Sequence, residues 1–193
     1  MKILAISGSL RRDSYNTQLL HAAAELLPAR ATLELWDGLK TVPPYDEDDD
    51  LQPAPTAVAA LRAAIASADG IFFATPEYNS SVPGQLKNAV DWVSRPLAAN
   101  PLRNKPVAVV GASTGAFGAV WAQAELRKVL AATGARVVDG EVAVGHAPER
   151  FDERGQLLDE GLRSQLAEVI ESLVAEIEAR GAADPDRLLP AAA

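Results

Sequence analysis

The chain contains no cysteine. That excludes disulfides, thiolate nucleophiles and iron–sulfur ligation, and with them a disulfide-stapled secreted scaffold. Long apolar runs are missing too: no stretch approaches the ~20 residues a membrane helix needs. The opening run Ile3–Ile6 is too short for the apolar region of a signal peptide, and no cleavage pattern follows. A cytoplasmic protein is therefore expected. Basic residues are in the minority, 18 against 26 acidic, for a formal net charge of −8. An acidic surface gains no counterion-release energy from nucleic acid and is repelled by an anionic membrane. Two nucleotide signatures are also absent. Without Gly-x-Gly-x-x-Gly, dinucleotide binding in the Rossmann manner is not expected, and without Gly-Lys-Ser/Thr there is no triphosphate-binding loop. The acidic run Asp46–Asp50 reads as a solvated loop. No metal site and no internal repeat are expected.

What is present suits one globular domain. The chain has 193 residues, 48% of them hydrophobic and 23% charged, enough for one layered core. Ile3–Ile6, Ile71–Ala74 and Val107–Val110 are unbroken apolar runs, the mark of strands buried on both faces. Thr32–Trp36 alternates apolar and polar, as a half-exposed edge strand does. Val142–Val144, with Val137 and Val138 just before it, is the fifth candidate. Between them lie helical patterns of period 3.6: Leu19, Leu20, Ala23, Leu26 and Leu27; Val58, Leu61, Ile65 and Ala68; Leu86, Ala89, Val90 and Val93; Ala119, Ala122, Leu126, Val129 and Leu130; and Leu162 to Ile177. Alternating strands and helices predict an α/β three-layer sandwich, a five-stranded parallel sheet with helices on both faces. Central strands one, three and four with strand two at the edge give the doubly wound order 2-1-3-4-5. Ligands of such sheets sit at the strands' carboxyl ends, where the winding reverses. Residues 1–181 are read as the domain and 182–193, rich in alanine and proline, as a flexible tail.

Three segments sit at those strand ends. The first is Ser7-Gly8-Ser9-Leu10-Arg11-Arg12-Asp13-Ser14-Tyr15-Asn16. Gly8 permits a sharp exit from the strand, Ser9, Ser14 and Asn16 offer hydroxyl and amide donors, and Arg11 offers a charge-assisted pair. Ser14 or Asn16 can cap the following helix, whose amides favour an anion. Hydroxyl donors without a clamping lysine suit a small phosphate monoester. The second runs from Thr75-Pro76-Glu77-Tyr78-Asn79 to Asp91-Trp92. Pro76 stiffens its exit, Tyr78 gives a flat apolar face and Asn79 donors for a ring edge, a set that can hold a planar heterocycle. The third is Gly111-Ala112-Ser113-Thr114-Gly115-Ala116-Phe117-Gly118, whose glycines let backbone approach a ligand.

Together these segments resemble the NADPH-dependent FMN reductase family, whose relatives include quinone, azo-dye and chromate reductases. The matching residues are Gly8-Ser9-x-Arg11 with Ser14-x-Asn16, then Pro76-Glu77-Tyr78-Asn79 with Pro83-Gly84-x-Leu86-Lys87-Asn88-Ala89-x-Asp91-Trp92, then Ser113-Thr114-Gly115 with Leu126-Arg127. The resemblance spans about Met1 to Val144 and implies a flavodoxin-like fold with bound FMN. It also implies NADPH or NADH as electron donor, a small-molecule acceptor, and assembly as a homodimer or homotetramer. By the same resemblance, Ser9, Leu10, Arg11, Ser14, Tyr15 and Asn16 bind the phosphate and ribityl chain. Pro76, Glu77, Tyr78 and Asn79 line the isoalloxazine, and Ser113, Thr114 and Gly115 close its other side. Chemistry is carried by flavin N5, and no side chain is expected to act as acid or base. One departure stands out: many relatives have a second glycine and a nearby arginine after Gly118, where this chain reads Ala119-Val120-Trp121.

Other readings differ by residue. A flavodoxin-type electron carrier shares FMN and the acidic surface but does not turn over NAD(P)H. A serine hydrolase matches Gly111-x-Ser113-x-Gly115 with Asp139 and His146 in order, yet leaves the Arg11 and Tyr78 loops unexplained. A receiver module needs acidic residues where this chain has Ser7 and Thr75. His21 and His146 need no role, and Trp92 and Trp121 read as packing or subunit-contact residues.

Overall fold

A computed structural model describes residues 1–183. Six strands and five α-helices follow in the order β1 (Lys2–Ser7), α1 (Tyr15–Glu25), β2 (Thr32–Trp36), α2 (Thr56–Ser67), β3 (Gly70–Thr75), α3 (Gly84–Val93), β4 (Pro106–Ala112), α4 (Val120–Ala132), β5 (Arg136–Val137), β6 (Ala143–Val144) and α5 (Glu160–Ala183). Residues 182 and 183, assigned above to the tail, belong to α5; the rest of that segment lies outside the described residues. The strands run parallel in the order β2-β1-β3-β4-β5.

Alternation along each central strand divides the core in two, because successive side chains point to opposite faces. Ile3, Ala5, Phe72, Ala74, Ala108 and Val110 pack with Leu19 and Leu20 of α1 and Leu166, Ile170 and Leu173 of α5. Leu4, Ile6, Ile71, Phe73, Val107 and Val109 pack with α2, α3 and α4 through Leu61, Ile65, Leu86, Trp92, Leu126 and Leu130. Trp92 is wholly buried and its indole N–H donates to Pro43 O at 2.8 Å, so it is a packing residue. Three expected helices are too long: α1 ends at Glu25 with Leu26 as its C-cap, Ala68 is the extended C-cap of α2, and Ala119, at a φ of 63°, is the N-cap of α4.

The fifth position of the sheet differs from the expected single strand. β5 lies beside Pro106 and Val107, β6 lies beside Gly111 and Ala112, and both pair with β4. Between them Gly140 takes a φ of +115°, which breaks an extended run. The Val109 carbonyl on β4 faces this gap. The Arg127 guanidinium on α4 fills it, donating to Val109 O at 2.7 Å, to Val138 O at 2.9 Å and to Gly140 O. Burial pulls the Arg127 pKa down, while the charges of Glu141 and Asp139 push it back up. Its fork of donors does there what a neighbouring strand's amides do elsewhere.

Candidate functional site

The β1, β3 and β4 exits converge on one crevice of about 240 Å³. From the first loop come Ser9, Arg11, Ser14, Tyr15 and Asn16; from the second, Pro76, Glu77 and Tyr78; from the third, Ser113 and Thr114. Ala112, which the motifs did not mark, lines it as well. Leu10, Asn79 and Gly115 are not among the lining residues.

In the first loop, Gly8 is required by contact and not by a left-handed φ. A Cβ there would lie 2.7 Å from Leu86 Cδ2 and 3.2 Å from Pro76 Cδ, so glycine lets the first and second loops touch. Ser14 is the N-cap of α1; its Oγ accepts from the amides of Asn16 at 3.2 Å and Thr17 at 3.3 Å. Asn16 does something else. It is buried, its Oδ1 accepts from Ala112 N at 2.9 Å, and its Nδ2 donates to Ala112 O at 2.9 Å. The amide thus pins the end of β4 to the start of α1, with its second Nδ2 hydrogen left over. Arg11 lies over the Tyr15 ring, 4.9 Å from its centroid, and Tyr15 stacks on Phe151 at 5.8 Å. Among the described residues no carboxylate pairs with Arg11.

The second loop makes a two-residue hairpin. Tyr78 and Ser81 exchange backbone hydrogen bonds of 3.2 Å, and Asn79 and Ser80 both take positive φ, 53° and 58°. Two left-handed residues in succession make a type I′ turn, where asparagine is favoured. Asn79 therefore serves the turn, while Tyr78 stands 55% exposed beside the crevice. The Glu77 side chain is turned toward α4: Oε2 accepts from Trp121 N at 3.0 Å and Ala122 N at 3.1 Å. This caps a helix whose own N-cap, Ala119, has a φ of 63° and no capping side chain. The cap comes from 44 residues away in the chain, so no local signal marks it.

In the third loop, Ser113 Oγ accepts from Gly115 N at 3.1 Å, and the segment after β6 closes over it through His146 N to Gly115 O and Ala147 N to Ser113 O, both 3.0 Å. These bonds set the hydrolase reading aside. His146 contributes its backbone, no hydrogen bond joins Ser113 Oγ to His146 or His146 to Asp139 among the described residues, and Asp139 acts on Arg127.

The fold and crevice define a flavodoxin-like protein with a binding cleft at the carboxyl edge of its sheet. The profile of the NADPH-dependent FMN reductases matches residues 1–149. An NAD(P)H-dependent FMN reductase from Pseudomonas aeruginosa is 42% identical over 174 residues, covering 90% of this chain and 93% of its own. A 2-hydroxy-1,4-benzoquinone reductase from Burkholderia is 39% identical over 181 residues, covering 93% and 98%. Among solved structures, the flavoenzyme NAD(P)H:(acceptor) oxidoreductase FerB from Paracoccus denitrificans superposes with a TM-score of 0.81 at 32% identity, covering 92% and 97%. The chain belongs to the NADPH-dependent FMN reductase family. It is an oxidoreductase with FMN as cofactor and NAD(P)H as electron donor, and neither a carrier alone nor a hydrolase.

The crevice fits that cofactor chemically. It offers a guanidinium without an anionic partner among the described residues and hydroxyls at Ser9, Ser14 and Thr114. Its one lining carboxylate, Glu77, is satisfied by helix amides. An anionic phosphate meets donors there and no opposing free charge.

Proposed function

We propose that the crevice holds FMN with its phosphate and ribityl chain at Ser9, Arg11, Ser14 and Tyr15 and its ring between Pro76–Tyr78 and Ser113–Thr114. The observation that carries this reading is the Arg11 guanidinium, without an ion pair among the described residues, sharing a crevice with hydroxyl donors while Glu77 is held by α4. FMN held there would supply two-electron redox chemistry between NAD(P)H and an acceptor. The chain's own part is position. Arg11 neutralises the phosphate, Ser14 fixes the start of α1, Asn16 fixes the third loop against the first, and Tyr78 offers the ring an apolar flank.

The acceptor is a quinone, an azo compound, a free flavin or a similar planar molecule; relatives named for benzoquinone and quinone reduction support this class. The enzyme works as a homodimer or homotetramer in the cytoplasm. Phe117 and Trp121 support the assembly: they are 65% and 48% exposed, pack edge to face at 5.0 Å, and stand where α4 meets the second loop. No described helix is long and apolar enough to cross a membrane.

The test is the visible spectrum of the purified protein, loaded with FMN and then given NADPH without oxygen. Flavin absorbance that bleaches, and returns when a quinone is added, is the expected result. A protein that takes up no flavin removes the reading.

A further inference from the structure

A second cleft, of about 150 Å³, opens beside the crevice on the outer side of α1. Ser14 lines both. From there the cleft follows α1 to His21, a rise of about 10 Å at 1.5 Å per residue. Arg12, His21 and Arg154 bring two guanidiniums and an imidazole to it, against the single carboxylate of Asp13. This is unexpected in a chain with a net charge of −8. Acidic partners are in excess, and seven other basic side chains hold ion pairs. Arg12 and Arg154 hold none among the described residues. Gln18 also lines the cleft, and its Oε1 is shielded from solvent without a hydrogen-bond partner. Gly155, at a φ of +79°, lets the 151–157 hairpin close against Gln18, where a Cβ would come within 3.3 Å of Cγ.

We infer that this cleft binds the 2′-phosphate that distinguishes NADPH from NADH. The inference rests on the reading of the first crevice as the flavin site. Two guanidinium forks around a small concavity suit the oxygens of a phosphate monoester. The flavin's own phosphate is engaged on the other side of Ser14, by Ser9 and Arg11. The remaining phosphate-bearing reactant is the dinucleotide, and the two forms of that donor differ by one phosphomonoester. Arg12 and Arg154 are thus specificity residues for the donor.

The test titrates the FMN-loaded protein with 2′,5′-ADP, 5′-AMP and inorganic phosphate by calorimetry, for the natural sequence, the double variant Arg12→Ala/Arg154→Ala and the double variant Arg12→Lys/Arg154→Lys. Neither side chain holds an ion pair among the described residues, so their truncation leaves the fold intact. Expected are binding of 2′,5′-ADP at least tenfold tighter than 5′-AMP, loss of that difference in the alanine variant and partial recovery in the lysine variant. In turnover, the ratio of kcat/KM for NADPH to that for NADH falls at least tenfold in the alanine variant. Equal binding of the two nucleotides, a difference that survives the alanine changes, or binding of inorganic phosphate alone would each overturn the inference. A flat titration by a protein that carries flavin removes this proposal only. A protein that cannot be loaded with FMN removes it together with the flavin reading.

Discussion

Arg11 lies over Tyr15 and holds no ion pair among the described residues, so its charge is available to a ligand. Arg11→Ala is expected to weaken FMN binding by about 1.5–3 kcal/mol, the scale of a hydrogen bond to a charged group. Fluorescence titration of the apoprotein with FMN measures it, and an unchanged dissociation constant would remove Arg11 from the site. Asn16 is a different case. Its two bonds to Ala112 are buried, so Asn16→Ala strands a backbone donor and acceptor at the end of β4. A loss of about 2–3 kcal/mol in folding stability is expected in urea unfolding, with weaker FMN binding as a consequence. The contrast marks what could be read from residue types. Ser9, Arg11 and Ser14 advertise phosphate chemistry by composition and spacing. Asn16 looks like one more donor in the string, and only its contact with Ala112, 96 residues away, shows it to be a clasp. Glu77 and Asn79 were likewise legible as loop polar groups, while the helix cap and the left-handed turn they make were not.

At the level of elements, the break between β5 and β6 depends on Arg127. Its guanidinium satisfies carbonyls of β4 and of the connecting segment, so Arg127→Ala leaves at least two acceptors without partners. A destabilisation of about 3 kcal/mol is expected by chemical denaturation. Arg127→Lys recovers part of it, since a single ammonium cannot reach as many carbonyls as a fork. The third loop sits at the end of β4 next to this break, so flavin affinity should fall with stability. Apolar runs and 3.6-residue periods made the central strands and all five helices legible. The fifth strand was not, because Val137-Val138 and Val142–Val144 have the same apolar character whether they form one strand or two. Gly140 and a side chain from another element decide it.

For the whole molecule, three aromatic groups stand exposed: Tyr78, which lines the crevice, and the pair Phe117 and Trp121 at the start of α4. If these form the subunit contact, replacing Phe117 and Trp121 together by serine converts an oligomer to a monomer in light scattering coupled to size-exclusion chromatography. An unshifted mass places the contact elsewhere. Neither side chain belongs to a core cluster, so folding stability should change by no more than about 0.5 kcal/mol.

The sequence by itself determined the layered α/β class, the strand order, the three loops that meet at the crevice and the hydroxyl and guanidinium donors of the first. Those properties follow from periodicity and local composition, which act over a few residues. Tertiary structure alone decided which donors are spent inside the protein and which remain for a ligand. Asn16 on Ala112, Glu77 on α4 and Arg127 across the sheet break are contacts between distant segments. A hydrogen-bonding group has the same chemistry in the string whether a neighbour has claimed it or not; folding brings that neighbour, and so settles which groups are left to bind.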